Sequence, residues 1–468
     1  MHRIRRPRTR ATRGNPHIPQ PQLLLSFTSM ATTTVPRRLP FNLRLPDSIS
    51  ALAERDFRVV WLGQAVSMTG TWMQMIAQGL LVLALWNSAF ALGALNFANA
   101  VPSLIVMLFG GVLADRADKR RILLVTQVVM GVMALLVGLL VVADAVQYWM
   151  LIAATIALGV AFGYDMPAYQ AFLPELVPPE KIGQVVALNS STFHGTRMVG
   201  PAMAGAIIGV FGIAAAYFLN AASFLAVIFS LLIVRRRHAP RAAGPAMSAI
   251  DGLKEGIRHA RGRPNLRVFL TLTALNTTFV FPIIAVLTPF YVRNVLHEGP
   301  GVLGALWAGS GVGAVLGAIA LIVWNDHHRV ARLWFAALVA PTGLIVSAIT
   351  REPAVAIVAQ AFVSFAFSSQ LGLIQTMIQE STPPQFRGRV MSLHGITFNG
   401  TMPFAALAAS GLAVAFGLPF VMMLGAGLFL VSTAWVLAFA GGGITKVVAS
   451  SRREFDIIAA DAAPSHGH

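Results

Sequence analysis

Apolar runs of about 20 residues, the length of helix that crosses the hydrocarbon of a bilayer, follow one another through this chain. They are separated by short polar breaks such as Trp86-Asn87-Ser88, Ala143-Asp144, His297-Glu298-Gly299-Pro300 and Arg351-Glu352-Pro353. A bilayer core offers no water to the backbone, so each run has to satisfy its own amides and carbonyls as a helix. The runs fall at 59–85, 91–114, 122–142, 147–169, 185–209, 213–234, 266–291, 301–324, 331–349, 354–378, 389–415 and 418–442. The pattern predicts an all-α membrane protein of about twelve transmembrane helices. Composition agrees: charged residues make up 11% of the chain, against roughly 25% in a soluble domain.

Charge sorts by side. Of the 35 Lys and Arg, all but Arg197, Arg293 and Arg351 fall on one side of these spans. Cytoplasmic loops collect Lys and Arg, so both termini are expected in the cytoplasm of a multi-pass inner-membrane protein. The same sorting explains the net charge of +17 without a nucleic acid. Zero cysteines exclude disulfides, zinc-thiolate sites and thiol catalysis; no cofactor or metal is expected.

The longest internal break divides the spans six and six. The expected organisation is a basic disordered tail over 1–55, a six-helix bundle over 56–237, a linker over 238–265, a second bundle over 266–442 and a tail over 443–468. A translation start at Met30 would account for the Arg- and Pro-rich opening. In the linker, Ile250, Leu253 and Ile257 lie at helical spacing beside Lys254, Arg258 and Arg261. This reads as an amphipathic helix on the inner leaflet, serving as a tether or as a regulatory hinge.

The halves repeat. At an offset of 205 residues Phe162 falls on Phe367, Gln170 on Gln375, Glu175 on Glu380, and Pro178-Pro179 on Pro383-Pro384. Val185, Leu188, Phe193, Gly195 and Thr196 then meet Val390, Leu393, Phe398, Gly400 and Thr401 without a gap. Two parallel six-helix halves with a site between them are what transport by alternating access requires.

After the second run stands Gly111-Val112-Leu113-Ala114-Asp115-Arg116-Ala117-Asp118-Lys119-Arg120-Arg121. This resembles the loop signature of the major facilitator superfamily, except that Asp118 stands where the common pattern has glycine. Trp72-Met73-Gln74, Asp165-Met166-Pro167-Ala168, Ala187-Leu188-Asn189 and Arg197-Met198-Val199-Gly200-Pro201 resemble the subgroup of the enterobactin exporter and related multidrug efflux proteins. The resemblance covers roughly residues 55–440. It implies the major facilitator fold: twelve transmembrane helices in two pseudo-symmetric six-helix bundles. It also implies a gating role for Asp115 at the start of the eleventh helix, which suits a carboxylate at a helix N-terminus. Gly111, Arg116, Lys119 and Arg120 belong to the same signature; Arg116, Lys119 and Arg120 serve equally as positive-inside anchors. Gly200 and Pro201, with Gly195, Gly205 and Gly209, resemble the glycine-proline motif of the superfamily's antiporters, or simply pack helices closely.

Polar groups inside a membrane are costly, and their faces are informative. Gln64, Ser67, Thr71, Gln74 and Gln78 share one face of the first span, Asn96, Asn99 and Ser103 one face of the second, and Thr273, Asn276 and Thr277 a third group on the seventh. Spans three, nine and twelve are nearly bare, Gln127 excepted. Gln64, Thr71, Gln74, Gln78, Asn99, Arg197 and Asn276 are therefore the candidate substrate contacts, with interhelical hydrogen bonding as the alternative for each amide. Arg197 near mid-span needs either an anionic substrate group or a partner, for which Asp165 is the nearest carboxylate. Asp165 and His194, with His394 as a further alternative, are the candidate proton carriers.

The reading is a secondary transporter, not an enzyme: a monomeric, proton-gradient-driven exporter of small amphipathic molecules, drug-like or siderophore-like, in contact with membrane lipids. Uptake or uniport, and a non-transporting receptor or lipid-handling protein, are the alternatives. Reporter fusions after Arg237 and at the C-terminus are expected to read as cytoplasmic and fusions near Asn87 and Arg351 as external. An external signal after Arg237 would break the six-plus-six arrangement.

Overall fold

The computed structural model describes residues 47–234, 249–323, 329–440 and 443–449, and these are almost wholly helical. The first half holds α1 (Arg55–Trp86), α2 (Ala89–Arg116), α3 (Lys119–Val142), α4 (Tyr148–Phe172), α5 (Ile182–Phe211) and α6 (Ile213–Ile233). A separate helix, α7 (Ala249–Arg261), follows. The second half holds α8 (Pro264–Phe279), α9 (Thr288–Asn294), α10 (Pro300–Val323), α11 (Arg329–Ile349), α12 (Pro353–Glu380), α13 (Pro384–Phe416) and α14 (Leu418–Phe439), with α8 and α9 forming one interrupted span. Among the described residues, 11 spans are long and apolar enough to cross a membrane. The twelfth crossing is α5, 30 residues long, whose basic-end half carries Asn189, Ser190, Ser191, Thr192, Thr196 and Arg197.

The repeat read from the sequence governs the packing. In the first half α1 packs on α6, α2 on α4, and α3 on α4 and α6; in the second α8 packs on α14, α10 on α12, and α11 on α12 and α14. The hairpin between α5 and α6 turns at Gly212 (φ 80°) and that between α13 and α14 at Gly417 (φ 82°). These glycines stand at the same 205-residue offset, and a positive φ is cheap for glycine alone.

Helix direction places Arg58, Lys119, Lys181, Arg263, Arg329 and Arg389 at one face of the molecule, the basic face, and Asn87, Asp144, Asn294 and Arg351 at the opposite, far face. At the basic face each half repeats one ion pair. Lys119 Nζ lies 2.7 Å from Glu175 Oε1 at the join of α3 and α4, and Arg329 makes a two-bonded pair with Glu380 at the join of α11 and α12. Arg120 donates to the carbonyl of Leu232 at 2.9 Å. Asp118 caps α3, its carboxylate accepting from Arg120 N–H at 2.9 Å. An N-cap favours aspartate over most residues, which accounts for an acid at this point of the loop.

Two helix crossings join the halves, α5 on α10 and α2 on α13. A Cβ added to Gly205 would lie 3.1 Å from the Cα of Gly304, and one added to Gly304 would lie 3.0 Å from the Cα of Gly205. A Cβ on Gly93 would run into the Ser410 side chain and lie 3.2 Å from the Ala406 carbonyl. Gly205 and Ser410 stand 205 residues apart, so the two crossings are related by the same repeat.

The seventh span departs from a continuous helix. A π-helical turn, Ile283–Leu287, separates α8 from α9. Pro282 and Pro289 bracket it and lack the N–H groups an α-helix needs there. Thr288 Oγ1 satisfies one freed carbonyl, Ile284 O, at 2.9 Å. Turns of this kind are frequent at functional sites.

Three boundaries differ from the expectation. Asp47–Ala53 is a short 3-10 helix rather than disordered tail, because Gln184 on α5 accepts hydrogen bonds from Ser50 Oγ (3.1 Å) and Ala51 N–H (2.7 Å). Beyond α14, Ile444 and Val447 are buried with Val436 and Leu437, so the C-terminal tail folds back on the second half over 444–449. The linker helix α7 packs on α13 and α8: Glu255 pairs with Arg389 at 2.5 Å, His259 stacks on Phe386 at 4.4 Å, and Gly256 lets the Arg389 backbone come close. The side of α7 that carries Glu255, Gly256, His259 and the buried Ala260 is the one docked on protein, while Leu253 and Ile257 are half-buried. Residues 235–248, and the side chain of Ile250, lie outside the described residues.

Candidate functional site

A cavity of about 690 Å³ opens within the first half, between α1, α2, α4 and α5, with one wall closed by the second half. Gln64, Thr71, Gln74 and Gln78 of α1 and Asn96 and Asn99 of α2 line it, with Thr155 and Asp165 of α4. The second half contributes Ala285, Val286, Pro289 and Trp307, the first two from the π turn itself. Four- and three-residue spacing along α1 brings its amides onto one wall, and Gln74 and Gln78, with Asn99 of α2, bond neighbouring helices. Gln78 Nε2 donates to Thr155 Oγ1 at 3.1 Å, Asn99 Nδ2 to the Thr155 carbonyl at 3.3 Å, and Asn220 Nδ2 to Gln74 Oε1 at 2.6 Å.

Beyond the cavity toward the far face the halves close over a large buried apolar cluster that includes Leu81, Leu83, Leu92, Val292, Leu303 and Leu418. Asn294 Nδ2 of α9 reaches Asn87 Oδ1 at the end of α1, 3.0 Å away, across the two halves. Toward the basic face the opposite holds. The cavity runs on past Phe162, Met166 and Gln170 of α4 and Phe193, Ser190 and Asn189 of α5, and Phe162, Met166 and Phe193 are exposed. The structure is closed at the far face and open at the basic face.

Asp165 is 5% exposed. Its Oδ1 accepts from Thr126 Oγ1 at 2.6 Å and Gln127 Nε2 at 3.0 Å, both on α3. This accounts for the polar pair in an otherwise bare third span: Thr126 and Gln127 both donate to Asp165. Among the described residues no ion pair joins Asp165 to Arg197, so the structural pair weighed in the sequence does not form. Arg197 instead lies between two rings, its guanidinium carbon 5.9 Å from the centroid of Trp72 on α1 and 5.9 Å from that of Phe281 in the seventh span. It thus bridges the halves by cation–π contacts, worth about 0.5–2 kcal/mol each, and does not line the cavity described above. Phe281 is itself stacked on Phe367 at 5.1 Å, and Trp72 packs edge-on against Phe193 at 5.9 Å.

The structure corrects one polar face. Asn276 is fully buried, donating to Gln370 Oε1 at 3.0 Å and to the Leu272 carbonyl at 2.9 Å. Thr277 bonds Thr401 at 2.6 Å. These groups hold α8 to α12 and α13 inside the second half and do not reach the cavity. Periodicity shows that they share a face; it does not show that the face meets neighbouring helices. Gly200 packs on α1, where a Cβ would lie 2.6 Å from Trp72 Cβ, and Pro201 follows it at the α10 crossing. Lys119 and Arg120 serve the basic-face contacts given above. The side chains of Gly111, Asp115, Arg116 and His194 lie outside the described residues, and His394 is buried in α13. The aromatic wall of Trp72, Phe193 and Trp307 escaped the sequence reading, although Phe193 and Phe398 stand among the repeat's matched positions. The π turn escaped it too, although Pro282 and Pro289 mark it.

Two six-helix halves around a half-open central cavity define a transporter of the major facilitator kind. The transmembrane secretion effector family matches residues 47–460, and the chain belongs to that family of the superfamily. It is a multi-pass inner-membrane transporter, not an enzyme. It is 26% identical over 415 residues to an MFS-type transporter of Bacillus subtilis, covering 86% of this chain and 95% of that one. It is 25% identical over 362 residues to the multidrug efflux pump Tap of Mycolicibacterium fortuitum, covering 75% and 87%. Among solved structures, a bacterial homologue of the human lysosomal transporter Spinster, in its inward-facing unoccupied conformation, superposes with a TM-score of 0.62 at 13% identity, over 86% of this chain and 98% of that one.

If Asp165 and Arg197 are separate, Asp165→Asn and Arg197→Gln are expected to be additive to within about 0.5 kcal/mol in thermal unfolding in detergent. A double variant more stable than the sum of the two losses would restore the pair.

Proposed function

We propose that this transporter exports small amphipathic molecules, drug-like or siderophore-like, by alternating access coupled to proton exchange. The observation that carries the reading is the cavity of about 690 Å³, lined by amides and aromatic rings, sealed at the far face and open at the basic face. Lys and Arg favour the cytoplasmic side, so the basic face is read as cytoplasmic, both termini lie there, and the cavity stands ready to take substrate from the cell or inner leaflet. The efflux pump among the relatives supports the direction. Each chain holds a complete cavity, so the transporting unit is read as a monomer.

Within this reading Asp165 is the proton carrier, being a buried carboxylate on the cavity wall, and Gln64, Thr71, Gln74, Gln78 and Asn99 are the substrate-facing polar groups. Asp115 is assigned the gate at the start of α13 in the alternate state, closed at the basic face. Arg197, held between one ring from each half, registers their relative position.

Cells expressing the protein are expected to hold less of a fluorescent amphipathic dye such as Hoechst 33342 than cells without it, and a protonophore is expected to abolish the difference. Higher accumulation in expressing cells would make the protein an uptake carrier. Equal accumulation across a panel of dyes and siderophores would remove the export reading.

A further inference from the structure

Where the halves meet, two hydrogen-bond donors stand against Trp72 with nothing to receive them. The Arg197 guanidinium carbon lies 5.9 Å from the Trp72 ring centroid and 5.9 Å from that of Phe281, and among the described residues neither a hydrogen bond nor an ion pair reaches it. Ring faces answer its charge and leave its N–H groups without an acceptor. Trp307 of α10, in the other half, packs on the same Trp72 ring at 6.4 Å. It is 4% exposed, and its Nε1–H is buried without a partner, which costs free energy until an acceptor arrives. Guanidinium and indole are donors only. The cavity amides Gln64 and Asn96 can turn to present oxygen or nitrogen and so suit either kind of ligand; Arg197 and Trp307 cannot.

These donors stand at the closed end of the cavity. Trp72, Phe193 and Trp307 line it, and Arg197, four residues beyond Phe193 on α5, shares the face of that residue. Because α5 enters from the basic face, the partly exposed Arg197 lies one turn deeper than Phe193. Asp165 is near the basic end of α4, whereas Arg197 is near the middle of α5, so Arg197 stands roughly 12 Å deeper at about 1.5 Å per residue. An anion at Arg197 is therefore spared close contact with the one carboxylate among the described residues of the wall. Resting on the reading of this cavity as the substrate site, we propose that Arg197 and Trp307 form an anion subsite, and that the substrates it takes are amphipathic organic acids bound by a carboxylate. The planar guanidinium fork matches a carboxylate, Trp307 Nε1–H adds a donor from the second half, and the apolar body lies on Trp72 and Phe193. The bound carboxylate is then held by one donor from each half.

Two dansyl compounds of one body test this: dansyl-6-aminohexanoate, which ends in a carboxylate, and N-hexyl dansylamide, which ends in a methyl group. Their fluorescence reports binding to the purified full-length protein in detergent at physiological ionic strength. The acid is expected to bind about tenfold or more tighter than the neutral compound, the equivalent of one charge-assisted hydrogen bond. Arg197→Gln is expected to bring the acid to the affinity of the neutral compound and to leave the neutral compound unchanged, which also shows that the variant is folded. Trp307→Phe keeps an aromatic ring and removes the N–H; it is expected to weaken the acid about three- to tenfold and the neutral compound not at all. Should Arg197→Gln lose both compounds, Arg197→Lys, which keeps the charge without the fork, is expected to hold the neutral compound and lose part of the preference for the acid. An acid that binds no tighter than the neutral compound, or that ignores the Arg197 substitutions, overturns the anion subsite and leaves the cavity as the binding site. Trp307→Phe without effect on the acid overturns the two-donor arrangement. Failure of both compounds to bind the unsubstituted protein overturns the cavity reading, and this inference with it.

Discussion

The contact on which the arrangement depends is glycine against glycine, or against a small side chain, where the halves cross. Gly205 meets Gly304, and Gly93 meets Ser410 and the Ala406 carbonyl, at equivalent points of the repeat. In a bilayer there is no hydrophobic drive to bring helices together, so association rests on close packing, which small residues permit. With no large side chain interleaved at these points, α5 and α10, and α2 and α13, have narrow surfaces to tilt about. Away from the crossings each half holds itself together by its own helix pairs and its own basic-face ion pair. The far-face seal is apolar, apart from the Asn87–Asn294 bond, so opening it breaks few polar contacts.

Charge is used sparingly inside this frame. Asp165 is held by α3 within the first half, while Arg197 sits between Trp72 and Phe281 from different halves. Each solves the cost of a charge in the membrane differently: the carboxylate by two donors, the guanidinium by two ring faces and partial exposure. Keeping them apart leaves Asp165 Oδ2 without a salt bridge to Arg197.

Much of this was legible in the residues. Helix ends followed the polar breaks because an apolar run cannot continue through Asn87-Ser88 or Glu352-Pro353, and the offset relating Glu175 to Glu380 carried over to the hairpin glycines and to Gly205 and Ser410 at the crossings. The polar faces of α1 and α2 do line the cavity. The polar face of α8 does not, because helical spacing says which residues share a side and is silent on whether that side meets a neighbour or a void; Asn276 found Gln370. The partnership of Asp165 with Thr126 and Gln127 was hidden for the same reason, since it runs across helices, although the isolated Gln127 of a bare span was its trace. The docking of α7 on α13 depended on Gly256 and Glu255 meeting Arg389, a tertiary contact that amphipathic spacing alone could not reveal.

The central claim is that the halves tilt as units, so that the basic face closes as the far face opens. The chain has no cysteine, so paired cysteines can be introduced singly at each face: Asn87 with Asn294 at the far face, Val186 with Ser392 at the basic face. Pulsed electron–electron spin resonance on the labelled protein in nanodiscs, across a range of pH, reads both distances. The account predicts a short far-face and a long basic-face separation in the resting protein. In conditions that populate the alternate state, the first should lengthen as the second shortens. Distances that change in the same direction, or a basic face that closes while the far face stays sealed, would contradict it.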